Sequence, residues 1–276
     1  MNPLLGLALI MMQAGIDPTA GQAPGIPEEL RNRPPRGADG GARASGRVQP
    51  PPAIATCLST AQDDPAKARA MAEEWVARTT GGQRATGRHC LGVAAGNAGD
   101  WPTASAAFLA AREDASEPHF RARMGALAGT ALLAQNKPGD ALAALDSARV
   151  EAGGDAMLAG EIAQERAIAL VALKRPSEAM AALTEARGLS PADANAWLLS
   201  ATLSRRQGDL AAAQQHIERA AALEPREPAI GLEAGVIAAL SGREAAARQS
   251  FESVIAAAPN SEQAATARGY LEQLKR

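Results

Sequence analysis

Five side chains carry the thiol and imidazole chemistry of this 276-residue sequence: Cys57, Cys90, His89, His119 and His216. Two cysteines can oxidise to a disulfide, remain free as small apolar side chains, or help to bind a metal ion. A zinc site built from both cysteines and His89 lacks a fourth ligand and the closely spaced ligand pairs that such sites use. The metal interpretation is therefore disfavoured, and no cofactor is predicted.

No catalytic motif accompanies these residues. The sequence lacks the G-x-S-x-G of a serine nucleophile, the G-x-x-x-x-G-K-[ST] phosphate loop and the H-E-x-x-H zinc helix. Neighbouring carboxylates such as Glu73 and Glu74, or Glu161 and Glu165, are typical of an exposed helix face. We therefore predict a non-enzymatic protein. The alternative is an enzyme or enzyme subunit acting on cell-wall glycan, which a carboxylate pair with a strongly raised pKa would favour.

The elements that position these side chains are indicated by a fixed repeat. Small residues recur every 34 positions at Ala167, Ala201, Gly235 and Gly269, which we name the small-residue column. Two antiparallel helices can approach to roughly 8–10 Å only where little side chain lies between them. Three further columns keep the same step: Ala179, Ala213, Ala247; Ala186, Ala220, Val254; and Pro191, Pro225, Pro259.

In these columns the sequence resembles the tetratricopeptide repeat family, whose unit is a pair of antiparallel helices in 34 residues. The resemblance implies an all-α fold, a right-handed superhelical solenoid of about six helical hairpins with a C-terminal capping helix. Large apolar residues such as Leu183, Ile217 and Phe251 fill the space beside the small ones. The predicted hairpins are 51–84, 85–121, 122–159, 160–193, 194–227 and 228–261, followed by a closing helix over 262–274.

The earlier units keep this pattern with changes. Gly129 lies 38 residues before Ala167, and we assign the four added residues to the glycine-rich loop Ala152–Ala159. The first hairpin is the weakest. Its predicted register, Leu58, Ala70, Ala77 and Gly82, puts Glu74 where a large apolar residue is expected, so that either Trp75 replaces it through a local shift or the hairpin is a divergent cap.

The two cysteines fall on the first helices of consecutive hairpins, 33 residues apart. Since such helices pack side by side in a repeat of this family, the resemblance implies that Cys57 and Cys90 can form a disulfide. A disulfide would indicate an oxidising compartment. Two buried free thiols are the alternative.

The first fifty residues differ in composition from the rest. Leu4 to Met12 is an apolar run too short to cross a bilayer, and it predicts a signal peptide over residues 1–15. Residues 16–52 are rich in Pro, Gly and Arg, which predicts a disordered arm before a repeat domain at 53–276. The predicted location is therefore periplasmic or secreted, with no transmembrane helix in the mature chain. A cytoplasmic location is the alternative if the apolar run is not a signal.

The charge balance excludes one class of partner. Lys plus Arg number 28 against 30 Asp plus Glu, and aromatic residues make up 3% of the chain, so neither a basic stripe nor a stacking platform for nucleic acid is present. We expect a protein or peptide partner, bound in the concave groove that the first helices of the hairpins line in this family. Packing of single members against neighbouring repeats is the alternative for each predicted groove residue: Arg123, Thr130, Glu161, Gln164, Ile168, Asn195, Leu198, Thr202, Arg205, Arg206, Leu232 and Val236.

Overall fold

The computed structural model describes residues 52–275, and the predicted signal peptide and nearly all of the predicted arm lie outside these residues. The described chain forms thirteen α-helices and no strand, which confirms the predicted all-α repeat of six helical pairs and a closing helix. The helices are α1 (Pro52–Asp63), α2 (Pro65–Arg78), α3 (Gly81–Asn97), α4 (Trp101–Asp114), α5 (Pro118–Ala134), α6 (Pro138–Glu151), α7 (Ala156–Ala172), α8 (Pro176–Leu189), α9 (Ala194–Arg206), α10 (Leu210–Leu223), α11 (Pro228–Leu240), α12 (Glu244–Ala257) and α13 (Glu262–Leu274).

The described residues divide into two compact units, 52–174 and 175–275, which we name the first and second units. In the first unit α1 packs on α2, α3 on α4 and α5 on α6, while α7 packs on α5 and α6. In the second unit α9 packs on α10 and α11 on α12, with α8 against α9 and α13 against α11 and α12. Within each unit, therefore, successive helical pairs are neighbours in space.

In five of the six hairpins the turn contains one residue with a left-handed backbone, whereas the first hairpin turns at Asp64 with φ of −145°. Gly99, Gly208 and Gly242 fill this place with φ of 74°, 83° and 74°, while Asn136 and Lys174 fill it with φ of 57° and 58°. Glycine takes this conformation without strain, and asparagine takes it more readily than other residues. Gly208 and Gly242 therefore suit the turns that they occupy.

An aspartate precedes the second helix in three of the hairpins, and in the first of these the side chain of Asp64 accepts a hydrogen bond from the Lys67 N–H. The side chain of Asp209 accepts a hydrogen bond from the Ala212 N–H, and that of Asp100 accepts one from the Thr103 N–H. These bonds satisfy backbone donors that have no partner within the helix.

The small-residue column marks the helix crossings, as predicted. A Cβ on Gly129 would lie 2.5 Å from Leu145 Cγ, and a Cβ on Gly235 would overlap the buried ring of Phe251. Gly92 faces Phe108 in the same way. A glycine on the first helix thus accommodates a large side chain on the second. At Gly269, in the closing helix, a Cβ would meet no atom within 4 Å.

The four added residues lie within the predicted segment, at 156–159, but the prediction that they form loop is wrong. The loop before α7 is as short as the loop before α9, and the added residues extend the helix itself. Helices α3, α5 and α7 each have 17 residues, whereas α9, α11 and α13 each have 13. Since four residues make about one turn of helix, the extension leaves the small-residue column on the same face.

The predicted register of the first hairpin is wrong by two residues. Ala70 and Ala77 are exposed, whereas Ala68 and Ala72 are fully buried on α2. Glu74 faces solvent and forms an ion pair with Arg78. The shift differs from the one considered, in which Trp75 replaces Glu74: Ala72 takes the place of the large apolar residue of the other hairpins, and Trp75 is half-buried beside it.

Candidate functional site

The candidate site is the solvent-facing side of the first helices, which we name the first-helix face. In the first unit it runs over the packed helices α5 and α7, and in the second over α9 and α11, which also pack on each other. Arg123 is exposed on α5, and Glu161, at the equivalent position on α7, is half-buried. The first unit therefore presents a positive and a negative residue at matching places on neighbouring helices.

Six of the twelve predicted groove residues keep part of their surface open. Arg123 and Arg206 are exposed, and the other four are half-buried: Thr130, Glu161, Asn195 and Thr202. Polar side chains of these types can bond the backbone and charged groups of a peptide. Their contact with a partner stays a prediction.

Five of the predicted groove residues are buried rather than exposed: Gln164, Ile168, Leu198, Leu232 and Val236. Leu198 belongs to the core around α9 and α10, and Leu232 and Val236 belong to the core around α11, α12 and α13. The expectation that these side chains line an open groove is therefore corrected. Each first helix packs on several neighbours, so the solvent-facing strip is narrower than the sequence suggests.

Arg205 forms an ion pair within the protein. Its Nε donates to Glu233 Oε1 at 2.6 Å and its Nη2 to Oε2 at 3.3 Å, which joins α9 to α11. The two side chains are 10% and 5% exposed. A fork of this kind is the strong geometry for an arginine–carboxylate pair. Arg205 therefore holds two first helices together, and Arg206 is the arginine exposed at this end of α9.

The cysteines form the predicted disulfide, which joins α1 to α3 with a Cα–Cα distance of 6.1 Å between Cys57 and Cys90. Both residues are buried beside Ile54 and Ala72. First helices of consecutive hairpins are side by side here, as the resemblance implied. Among residues 52–275, no cluster of three or more His, Cys, Asp or Glu side chains could hold a metal ion.

The three histidines lie apart, on three different helices, and each has a local partner. His89 is half-buried against the rings of Phe108 and Phe120, and its desolvation together with the charge of Arg123 lowers its pKa to about 4. His119 Nε2 lies 2.8 Å from Asp155 Oδ2. His216 packs on Trp197 with ring centroids 5.9 Å apart.

The carboxylates with a clearly shifted pKa are stabilised as anions. Hydrogen bonds from the side chain of Thr103 and the side chain of Arg84 lower the pKa of Asp100 and Asp114 respectively, and the Leu158 N–H lowers that of Asp155. A general acid for glycan cleavage needs a shift in the opposite direction. These carboxylates therefore give no support to the alternative of a glycan-cleaving enzyme.

Sequence reasoning missed a set of arginine–carboxylate clamps between helices of the first unit. Arg84 binds both oxygens of Asp114 at 2.7 and 2.6 Å, joining α3 to α4. Arg112 of α4 donates to Glu151 of α6 at 3.1 and 3.0 Å, and Arg121 of α5 donates to the same carboxylate at 2.9 Å. The partners lie 30 or 39 residues apart, so the signal that could have found them is charge pairing at about one repeat length.

From residue 52 to residue 275, no helix combines the length and the apolar character needed to span a bilayer.

Comparisons with known proteins agree with this repeat architecture. The family model described as "Tetratricopeptide repeat" matches residues 164–213 and 198–262. No curated protein sequence matches the chain.

Solved structures of the same fold cover most of the chain. The crystal structure of PilW, described as a widely conserved type IV pilus biogenesis factor, has a TM-score of 0.65 at 16% identity and covers 79% of this chain and 99% of its own. The pilF protein of Pseudomonas aeruginosa has a TM-score of 0.62 at 16% identity, with 79% and 96% covered. BtubC from P. vanneervenii has a TM-score of 0.58 at 16% identity, with 74% and 90% covered. At this identity the likeness shows the fold, and the family model identifies tetratricopeptide repeats at residues 164–262.

Proposed function

We propose that the protein is a non-enzymatic scaffold that binds a segment of a partner protein on the first-helix face. The observation that carries the proposal is that the guanidinium of Arg123 has no bonded partner among residues 52–275. Other arginines on the first helices of the same unit, Arg84, Arg88 and Arg121, are bound to carboxylates of the chain. Arg123 is exposed and forms no hydrogen bond or ion pair within residues 52–275. Its guanidinium is available to a partner.

The chemistry of the face suits a segment with mixed side chains. Arg123 and Glu161 carry opposite charges on α5 and α7, and Asn195, Thr202 and Arg206 are polar residues with open surface on α9. Charged residues at the edge of an interface direct encounter and choice of partner more than they add affinity. We expect specificity to follow this pattern, with binding that weakens as salt rises.

We further propose that the protein acts outside the reducing cytoplasm, in the periplasm or as a secreted protein. The buried Cys57–Cys90 disulfide supports this location because such bonds persist in oxidising compartments. The apolar run Leu4 to Met12 in the sequence supports it independently. Mass spectrometry of the mature protein, with and without alkylation, tests both points. An intact residue Met1 together with two alkylated cysteines would contradict this location.

Charge reversal tests the binding face. The double variant Arg123→Glu, Arg206→Glu should lose a protein that co-purifies with the wild type from its own cells, while its circular dichroism stays unchanged. The matched control is Arg219→Glu, Arg226→Glu, which makes the same change of charge at exposed positions on α10 and in the loop that follows it. The control should keep the partner. Equal retention by both variants would move the site away from the first-helix face.

A further inference from the structure

Three side chains from three consecutive helices of the second unit form a stack around Trp197. The guanidinium carbon of Arg187, on α8, lies 5.1 Å from the centroid of the Trp197 ring on α9. The ring of His216, on α10, lies 5.9 Å from the same indole. Trp197 Nε1 donates a hydrogen bond to the Pro191 carbonyl at 3.0 Å. The indole is therefore held at both its ring and its polar edge.

Arg187 is bonded to neutral groups only. It donates to Ser200 Oγ and, at 3.1 Å, to Thr184 Oγ1. Among residues 52–275 no carboxylate forms an ion pair with it. Arginine stays charged at any pH at which the protein is folded, so this half-buried cation has no compensating negative charge from the described chain.

Comparison with the first unit shows that Arg187 lacks a carboxylate partner that the equivalent arginine has. Arg187 lies 20 residues after Ala167 of the small-residue column, and Arg112 lies 20 residues after Gly92, the equivalent small residue in the first unit. Arg112 donates to both oxygens of Glu151, which lies on the second helix of the next hairpin. The position equivalent to Glu151 in the hairpin that follows Arg187 is Leu223. The second unit thus keeps the arginine and replaces its carboxylate by an apolar side chain.

His216 adds to this deficit of negative charge. Burial is the main cause that lowers the pKa of His216, and the charge of Arg187 lowers it further. The negative charge of Asp209 raises this pKa and offsets part of both effects. A carboxylate placed beside Arg187 and His216 would offset the charge of the guanidinium and favour protonation of the imidazole. The flat guanidinium, fixed over the indole, would offer its remaining N–H groups to such a ligand.

We propose that the Arg187–Trp197–His216 stack binds an acidic side chain, Asp or Glu, presented by a partner protein. Arg187 supplies the charge and the donors, Trp197 fixes the plane of the guanidinium, and His216 supplies a second donor when it is protonated. The partners of Arg187 lie on α8 and α9, and the residues of the first-helix face have no role in the stack. The inference therefore goes beyond the proposed scaffold function and does not depend on it.

The probe for this site is a hexaglutamate peptide acetylated at its N-terminus and amidated at its C-terminus, so that side chains carry all of its carboxylates. Its binding to the full chain is measured by isothermal titration calorimetry at low salt, and the pKa of His216 is followed by NMR of the imidazole. The wild type should bind the peptide, and the pKa of His216 should rise in the complex. A blocked hexaglutamine peptide should not bind.

The variants separate a specific site from general attraction of an acidic peptide. Arg187→Gln should weaken binding by about tenfold or more and cancel the rise in the pKa of His216, because a charge-assisted hydrogen bond is lost. Arg187→Lys should recover part of the affinity because it restores the positive charge, and the circular dichroism of Arg187→Gln should match that of the wild type, which shows that this variant is folded. Arg226→Gln, with the same loss of charge in an exposed loop, should bind like the wild type.

Three results would overturn the proposal: no binding of hexaglutamate by the wild type, equal affinity in Arg187→Gln and Arg226→Gln, or binding only of a blocked-N-terminus hexaglycine peptide with a free C-terminal carboxylate. The last result would assign the stack to a chain terminus instead of a side chain. None of these results depends on Arg123 or Arg206, so a failure of this proposal would not count against binding at the first-helix face.

Discussion

The first unit holds neighbouring helices together by charges and a covalent bond, whereas the second does so mainly by apolar and aromatic packing. Asp114 and Glu151 each receive two arginines in the first unit, and the disulfide joins α1 to α3. In the second unit Phe251 stacks on Tyr270 at 5.2 Å between ring centroids within the core of α11, α12 and α13. One repeat pattern thus supports two ways of fixing adjacent hairpins.

The difference between the two units follows from the size of the apolar side chains on their helices. The core of the first hairpin contains Ala61, Ala68 and Ala72, which bury little apolar surface, so that hydrophobic stabilisation per residue is small there. Specific bonds between helices compensate for this in the first unit. The second unit places Ile217, Phe251 and Val254 at the corresponding crossings and relies less on such bonds.

Reduction of the disulfide should have the largest effect and should separate the units most clearly. Loss of the Cys57–Cys90 bond should destabilise the first unit by about 3–4 kcal/mol, the value expected for a loop of this length. Hydrogen exchange measured with and without reductant should show lost protection in α1–α3 and unchanged protection in α11–α13. The double variant Cys57→Ala, Cys90→Ala should not respond to reductant. Equal loss of protection in both units would contradict the comparison.

Acid should weaken the first unit through His89. Its pKa is about 4 in the folded protein and about 6.5 when unfolded, so the unfolded state binds the proton more readily. The stabilisation is therefore complete above pH 6.5 and falls as the pH drops toward 4, by about 3 kcal/mol in all. Urea unfolding across this range, followed at the first unit by hydrogen exchange, measures the slope.

The matched variant for this effect is His89→Gln, which cannot titrate. The stability of its first unit should be flat over the same range until the shifted carboxylates, Asp100, Asp114 and Asp155, begin to take up protons at lower pH. A slope that persists in His89→Gln would assign the pH dependence to another group.

Neutralising one carboxylate in each unit compares the two kinds of ion pair. Glu233→Gln should cost about 2 kcal/mol, because it leaves the nearly buried Arg205 without its counter-charge. Glu151→Gln should cost about 1 kcal/mol, because its side chain and those of Arg112 and Arg121 are more exposed and solvent screens the loss. Thermal unfolding at low and high salt should show a larger salt effect at Glu151. The reverse order would show that exposure does not decide the strength of these pairs.

The sequence was enough to predict where the helices cross, but not which side chains lie on the surface. Gly129 and Gly235 could be assigned to helix crossings because close contact between helices allows only small residues there, and small residues therefore recur once in each repeat. The extra turn in α3, α5 and α7 could not be assigned to a helix, because a four-residue insertion keeps the phase of the columns wherever it falls. The shift in α2 was hidden because its many alanines fit more than one register.

The candidate face shows the same limit. Leu198, Leu232 and Val236 looked exposed when only one helix pair was considered, and they are buried because each first helix also packs on the next one. The commitment of Arg205 to Glu233 depends on side chains 28 residues apart, which no local pattern reveals. Positions set by backbone sterics can thus be predicted, whereas pairing among polar side chains depends on the packed structure.

The most direct test of the account compares two glycines of the small-residue column that differ in their surroundings. Gly235→Ala places a methyl group against the buried ring of Phe251, and Gly269→Ala places one where no atom lies within 4 Å. Chemical unfolding should show that Gly235→Ala destabilises the protein by about 1–3 kcal/mol through overpacking, while Gly269→Ala stabilises it by about 0.5–1 kcal/mol through helix propensity. Equal changes in the free energy of unfolding would contradict the claim that this column marks the contacts between paired helices.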